Sequence, residues 1–219
     1  MFGSFYHHRK NAGVRGAVAQ TVRPLLTALL VISLGTANMA AAQAPEELKK
    51  LTTLCQAGTM WGCSLLGVKY HTGVGVTQDV TKAMEFYRQA CDGQFAEGCN
   101  NLGVLYDNGE GVTQDAVKAM EFYRQACDGK YAAACNNLGV KYHTGAGVTQ
   151  DVTKAVELYR QACDEKYAAA CFNLGAMHEL GKGVQQSVAD AGLFYGKACD
   201  LKEPQGCAQA ARIKAQNNR

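Results

Sequence analysis

The sequence predicts an all-α fold, an α/α solenoid of stacked helical hairpins. All ten cysteines form five pairs whose partners are 8 residues apart, and successive pairs recur every 36 residues. A glycine pair and one set of apolar positions recur with the same period. A fixed period of this length is typical of repeat proteins, in which each unit buries its apolar face only against its neighbours.

The first 42 residues differ in kind from the rest of the chain. Four basic residues and no acidic one precede an apolar stretch at 25–34, which the small-residue run Ala40–Ala42 follows. This order predicts a secretory signal peptide at 1–42, cleaved after Ala42. The apolar stretch is short of the roughly 20 residues that span a bilayer. A retained membrane anchor and a mitochondrial presequence remain alternatives.

Removal of the leader changes the charge of the chain. The whole sequence has 22 Lys and Arg residues against 19 Asp and Glu, and the four basic residues of the leader leave 18 against 19. The mature chain then has a net charge of −1. A nucleic-acid partner, which usually requires a basic surface, is therefore not expected. No membrane span is expected after leader removal.

The 36-residue period divides the mature chain into units. Four full units are predicted at 56–91, 92–127, 128–163 and 164–199, flanked by an N-terminal half-unit at 43–55 and a C-terminal half-unit at 200–219. The half-units are expected to cap the stack with one helix each, at Glu46–Cys55 and Gly206–Gln216.

Each full unit is predicted to form two helices. The first ends at a glycine pair such as Gly109 and Gly111, because glycine accepts the left-handed conformation that closes a helix. Threonine or aspartate then offers the N-cap oxygen of the second helix. In that helix, Ala119, Phe122, Tyr123 and Ala126 have the i, i+3, i+4, i+7 spacing of one buried face.

The repeated segments resemble a known family. Residues 101–112 read Asn-Leu-Gly-x-x-Tyr-x-x-Gly-x-Gly-Val, and residues 115–123 read Asp-x-x-Lys-Ala-x-x-x-Tyr. These segments are similar to Sel1-like repeats, relatives of tetratricopeptide (TPR-like) repeats, and the cysteine pairs resemble those of secreted Helicobacter cysteine-rich proteins. The resemblance covers roughly residues 46 to 216 and implies a Sel1-like superhelix. The last unit departs from its siblings at His178, Ser187, Gly192 and Gly196.

The cysteine spacing requires a turn within each pair. Residues 8 apart on one helix are separated by about 12 Å, whereas a disulfide needs α carbons within about 7 Å. Each bridge is therefore predicted to pin the end of one second helix to the start of the next first helix. The predicted bridges are Cys55–Cys63, Cys91–Cys99, Cys127–Cys135, Cys163–Cys171 and Cys199–Cys207.

The cysteine pattern leaves one alternative pairing and argues against three other kinds of cysteine site. Closure of Cys63 with Cys91 within one hairpin is the alternative pairing. A zinc site, a thioredoxin-type centre and a c-type haem are not expected, because the chain has no C-x-x-C motif. Bridges are typical of an oxidising compartment. No cofactor and no metal is predicted.

A catalytic site is not predicted from the residues. The resemblance implies weak penicillin binding and β-lactamase activity as an alternative function. A serine hydrolase needs a nucleophile beside a base, and Ser64 and Ser187 are the mature chain's only serines. Neither begins a Ser-x-x-Lys motif. His71-Thr72-Gly73 only superficially echoes a Lys-Thr-Gly motif, since a helix end is predicted there.

Binding is expected on a concave surface lined by the first helices. Asparagine is a poor helix former, yet five asparagines are predicted in mid-helix: Asn100, Asn101, Asn136, Asn137 and Asn173. They either bind an extended peptide backbone or hydrogen-bond neighbouring helices. Neighbouring variable positions would set specificity: Lys69, His71, Leu105, Asp107, Lys141, His143, Met177 and Glu179.

The sequence thus predicts a secreted or periplasmic monomeric scaffold that binds a protein, an extended peptide or a cell-wall fragment. A β-lactamase-like hydrolase is the first alternative. An assembly factor in an oxidising organelle is the second, favoured by a mitochondrial leader.

Overall fold

The computed structural model describes residues 45–217 of the chain, and the predicted leader at 1–42 lies outside the described residues. This part of the chain contains ten helices and no strand. The helices are α1 at 45–56, α2 at Met60–Thr72, α3 at Val80–Asp92, α4 at Ala96–Asn108, α5 at Ala116–Asp128, α6 at Ala132–Thr144, α7 at Val152–Asp164, α8 at Ala168–Leu180, α9 at Val188–Asp200 and α10 at Pro204–Asn217. The predicted all-α solenoid of helical hairpins is confirmed.

The helices alternate between two types. We call α2, α4, α6 and α8 the A helices and α3, α5, α7 and α9 the B helices. Each A helix packs against the B helix that follows it, and each B helix packs against the next A helix. The terminal helices are single: α1 occupies a B position and α10 an A position. None of the helices in residues 45–217 is long and apolar enough to cross a bilayer.

The two helices of a hairpin touch through a glycine and a tyrosine. A Cβ atom added to Gly103 would lie 2.7 Å from the ring of Tyr123, and Gly67, Gly139 and Gly175 meet their tyrosines in the same way. These tyrosines are buried, with at most 3% of their surface exposed. Close approach of the helices therefore explains why glycine recurs in this column of the A helix.

The helix ends follow the repeated residues. Each A helix ends at a glycine with a positive φ angle, such as Gly109 at 72°. Asp79, Asp115 and Asp151 each accept a hydrogen bond from the backbone N–H three residues on, at 2.9–3.0 Å. Of the two N-cap candidates in the sequence, the structure thus uses aspartate and not threonine. Ser187 takes this role in the last repeat, at 3.1 Å.

Five disulfides join the successive hairpins. They connect the cysteines 8 residues apart, with Cα–Cα distances of 4.4–4.7 Å. Cys63 is bonded to Cys55, so the alternative pairing with Cys91 does not form. Between the two cysteines of each of the last four pairs, the chain turns through a residue other than glycine that has a positive φ angle of 62–70°. These residues are Gln94, Lys130, Lys166 and Lys202.

Candidate binding surface

A row of hydrogen-bonded asparagines joins successive A helices. The Asn137 Nδ2 atom on α6 donates to Asn100 Oδ1 on α4 at 3.2 Å. Asn173 Nδ2 on α8 donates to Asn136 Oδ1 on α6 at 2.9 Å. We call these contacts the amide ladder. Each such hydrogen bond contributes about 1 kcal/mol net, which offsets the low helix propensity of asparagine.

The two asparagine columns differ in exposure. Asn100 and Asn136 are buried, with 6% and 7% of their surface exposed. Asn101, Asn137 and Asn173 are half-buried. In the ladder, Asn137 and Asn173 use their Nδ2 atoms, so their Oδ1 atoms remain available. Asn137 and Asn173 therefore both join the helices and offer acceptor atoms one 36-residue step apart. We call the surface formed by the half-buried column and its neighbours on the A helices the A-helix face.

Ion pairs cross from repeat to repeat beside the ladder. Lys141 on α6 pairs with Asp107 on α4, and Arg212 on α10 pairs with Glu179 on α8. Lys69 lies 3.0 Å from Glu47 on α1. Repeats with a basic residue in this region thus alternate with repeats that have an acidic one, and each charge is compensated by its neighbour.

Two carboxylates in this area, Glu110 and Glu179, have lowered pKa values. The hydrogen bond from His71, at 2.7 Å, and one from Asn108 hold the pKa of Glu110 below its ordinary value. Burial raises the pKa of Glu179, but the hydrogen bonds from Tyr195 and Arg212 outweigh it, and the net shift is downward. These carboxylates are therefore ionised at neutral pH and act as acceptors in the network.

Two of the expected specificity positions are part of the core. Leu105 is fully buried and Met177 is 3% exposed, so neither side chain can contact a ligand. Both lie three residues after another core position of their helix, such as Leu102 for Leu105, which is the spacing of a buried face. The prediction that they face the groove is wrong.

Within residues 45–216, the serines and histidines do not form a nucleophile–base pair. The Ser64 hydroxyl is buried and has no hydrogen-bond partner among the described residues, so no base contacts it. Ser187 is used as the N-cap of α9. His71 and Thr72 end α2, and Gly73 closes it with a φ angle of 74°. No geometry in the described residues favours the β-lactamase-like alternative.

Two similar recesses lie on the B helices. One of about 590 Å³ is lined by Val156, Arg160 and Gly183, and one of about 490 Å³ is lined by the matching residues Met84, Arg88 and Gly111. Both lie between a B helix and the A–B loop of the next repeat. Because the same recess recurs two repeats apart, we attribute it to the stacking of the hairpins. Sequence reasoning missed these recesses, although the 36-residue columns contain the residues that line them.

Metal binding has no support in the geometry of residues 45–216, where no group of three or more His, Cys, Asp or Glu side chains lies close enough to hold an ion.

Comparison with a family model and with solved structures places these repeats in a known group. The family model described as Sel1 repeat matches residues 62–95, 96–131, 132–167 and 168–203. These matches cover more than half of the chain and begin near the start of each A helix. No curated protein matches the chain.

Several solved structures share this architecture. The chain is 30% identical to c5321, a protective antigen of uropathogenic Escherichia coli with an SLR fold, with a TM-score of 0.73 over 78% of this chain and 36% of that one. The chain therefore spans about a third of that protein. A Sel1 repeat protein from Oxalobacter formigenes is 23% identical, with a TM-score of 0.71 over 83% and 86%. Helicobacter pylori cysteine rich protein B is 28% identical, with a TM-score of 0.50 over 60% and 94%.

Proposed function

The chain belongs to the Sel1 repeat family, and we propose that it is a monomeric extracytoplasmic scaffold that binds an extended protein segment on its A-helix face. Sel1 repeat proteins generally mediate protein interactions, which supports the class of partner. The observation that carries the proposal is the half-buried column Asn101, Asn137 and Asn173, whose amide groups recur at equal steps along the stack.

The amides suit an extended backbone better than a compact ligand. An extended peptide presents a carbonyl or N–H group about every 3.3 Å, and hydrogen bonds to the main chain do not depend on its side chains. The unused Oδ1 atoms of Asn137 and Asn173 accept from peptide N–H groups. Affinity then comes from the backbone, and specificity comes from the side chains that flank the column.

The disulfides make the A-helix face a preformed surface. Each bridge fixes the angle between one hairpin and the next, and the amide ladder fixes the A helices to each other. A rigid face loses little conformational entropy when a ligand binds. The bridges are thus assigned to the support of binding and not to redox chemistry.

The proposed compartment is the periplasm or the exterior of the cell. Five disulfides with no free cysteine among the described residues are typical of proteins from oxidising compartments. The basic, apolar and small-residue order of 1–42 adds a route of export. N-terminal sequencing of the protein from the native host should find a mature chain that begins at Gln43, and a cytoplasmic full-length chain would contradict the proposal.

The binding proposal is tested by selection of phage-displayed random octapeptides on the immobilised oxidised protein. Selected peptides are synthesised and their dissociation constants measured by calorimetry. We expect binding to weaken at least tenfold in Asn101→Leu/Asn137→Leu. Leucine occupies the same column at Leu65, so this variant should remain folded.

Two controls separate the A-helix face from the rest of the surface. Glu157→Leu alters the recess on α7 and introduces the residue that the next repeat has at Leu193. Val117→Thr alters an exposed side chain on α5 and introduces the residue that the neighbouring repeats have at Thr81 and Thr153. Neither should change the affinity. Loss of binding in Glu157→Leu alone, or binding of purified peptidoglycan in place of any peptide, would refute the assignment to this face.

A further inference from the structure

The first A helix has two exposed apolar residues, Trp61 and Leu65, where the later A helices have other residues. Trp61 stands where later A helices have Glu97, Ala133 and Ala169. Leu65 stands where they have Asn101, Asn137 and Asn173. Trp61 is 47% exposed and Leu65 is 37% exposed. Residues four apart on a helix are neighbours on one face, so α2 presents an exposed apolar pair at one end of the asparagine column.

The amide ladder is broken at the same place. Ser64 occupies the column of Asn100 and Asn136, which accept from the next repeat in the later helices. Ser64 is only 1% exposed, and its buried hydroxyl has no hydrogen-bond partner among the described residues. On the next A helix, Asn101 Oδ1 accepts a hydrogen bond from Asn100 Nδ2. Within residues 45–216, Asn101 Nδ2 makes no hydrogen bond to another repeat. A buried polar group without a partner costs about 1–3 kcal/mol.

An acidic side chain lies one repeat along from the tryptophan. Glu97 takes the position of Trp61 on α4 and is half-buried. Other carboxylates near the A-helix face, such as Glu110 and Glu179, are paired with His71 and Arg212. Glu97 makes no ion pair within residues 45–216. Its charge is thus available to a basic group beside the apolar pair.

We propose that Trp61, Leu65, Asn101 and Glu97 form an anchor site for one apolar side chain of an extended peptide with a basic residue next to it. The apolar side chain packs on Trp61 and Leu65. A backbone carbonyl beside it accepts from Asn101 Nδ2, and the basic side chain pairs with Glu97. Tryptophan is enriched among the residues that contribute most of the binding energy at protein interfaces. The site rests on the proposed peptide-binding function and adds the class of peptide.

The experiment compares two octapeptide selections. One uses the oxidised wild-type protein, and the other uses the variant Trp61→Ala/Leu65→Asn. This variant is expected to fold because it introduces residues that later repeats have at the matching positions. Wild-type selections should be enriched in a large apolar residue within two positions of Lys or Arg, and the variant should lose this enrichment. Wild-type-selected peptides that bind the variant with unchanged affinity, but bind Asn101→Leu/Asn137→Leu more weakly, would support the general function and refute the anchor. Failure of both proteins to select any peptide would refute both.

Titration of the most enriched synthetic peptide, made without tryptophan, gives a direct readout. Trp61 is the only tryptophan of the chain, so its emission reports on this site alone and should shift to the blue on binding. We expect Glu97→Gln to weaken binding at least threefold and Trp61→Ala/Leu65→Asn at least tenfold, with no change in Val117→Thr. An emission unchanged at saturation, measured in parallel by calorimetry, would overturn the anchor site.

A ladder-restoring variant separates ligand contact from structural support. Ser64→Asn offers Asn101 the acceptor that Asn100 offers Asn137. It should raise the unfolding midpoint, because it supplies a partner for the Asn101 amide, and it should weaken peptide binding at least threefold, because that partner competes with the peptide carbonyl. A variant that is more stable and binds equally well would contradict the role of Asn101.

Discussion

Loss of a central disulfide should cost the scaffold a measurable part of its stability. The variant Cys127→Ala/Cys135→Ala opens the joint between α5 and α6, whose cysteines are 8 residues apart. Closure of a loop of this length restricts the unfolded chain by about 2.6 kcal/mol at 25 °C. The two cysteines are 3% and 1% exposed, and removal of their buried sulfur atoms adds on the order of 1 kcal/mol. The expected loss is about 3.5 kcal/mol.

Urea unfolding followed by circular dichroism measures this loss, with Cys199→Ala/Cys207→Ala as the matched variant at the end of the stack. The bridge at 199–207 closes a loop of equal separation, but it holds only α10 against the last hairpin. Hydrogen exchange should therefore show fraying confined to α10 in the terminal variant, whereas the central variant should lose protection on both sides of the joint.

Complete reduction extends the same reasoning. Five independent loops of this size contribute about 13 kcal/mol, which is comparable with the entire stability of an ordinary domain at 5–15 kcal/mol. The reduced protein should therefore unfold at 25 °C without denaturant. A central variant that loses less than about 1 kcal/mol, or a reduced protein that keeps its helical signal and its unfolding midpoint, would refute the view that the bridges stabilise the stack by constraining the unfolded chain.

Three further predictions concern single positions. Gly103→Ala should cost about 1–3 kcal/mol, because its Cβ would lie 2.7 Å from the buried Tyr123 ring, whereas Gly196→Ala, with no atom within 4 Å, should gain about 1 kcal/mol in the same urea assay. Lys130→Gly should gain about 0.5–1 kcal/mol by relief of the positive φ angle of 62°, measured as a rise in the urea midpoint; a fall would contradict strain at this turn. Burial raises the pKa of Tyr159 from 10.0 to about 12, so the folded state binds the phenol proton more tightly than the unfolded state does. The contribution of this proton to the free energy of unfolding is complete below pH 10 and is lost as the pH rises to 12. Tyr159→Phe should lose less stability than the wild type over that interval, and equal losses would exclude this tyrosine as a source.

The fold and its joints could be predicted because they depend on information that is linear in the sequence. The 36-residue period fixes the number of hairpins, and the 8-residue spacing of Cys91 and Cys99 requires a turn between them whatever the packing. The exact N-cap could not be predicted, because Thr77 and Asp79 both have capping oxygens. Only the backbone path after Gly73 places Asp79, and not Thr77, against the N–H of Lys82.

The binding surface was predicted less completely, because hydrogen-bond partners depend on the offset between stacked helices. The sequence marked Asn100 and Asn137 as unusual mid-helix residues, but it could not show that they bond each other across 37 positions. The prediction that Leu105 contacts a ligand was wrong, although Leu102, three residues before it, already indicated a buried face. The sequence analysis did not identify Ser64 as a break in the ladder, because only the hydrogen bonds between repeats show which asparagines accept from the next helix.

The terminal helices explain why the A-helix face should act as a bounded site of one molecule. In α1, the exposed residues Glu47 and Lys50 occupy the columns of the buried Ala83 and the packed Phe86. In α10, the exposed Lys214 occupies the tyrosine column. Stacking of another copy at either end would desolvate Lys50 and Lys214, which make no ion pair within residues 45–216, and also Glu47, which pairs with Lys69. We therefore expect no end-to-end association. The A-helix face then has the proposed apolar anchor at α2, and its row of asparagines ends at α8, where Phe172 packs on Tyr195 at 5.3 Å in place of a further asparagine. A peptide that binds along this face is therefore expected to bind in one direction, with its apolar residue at α2.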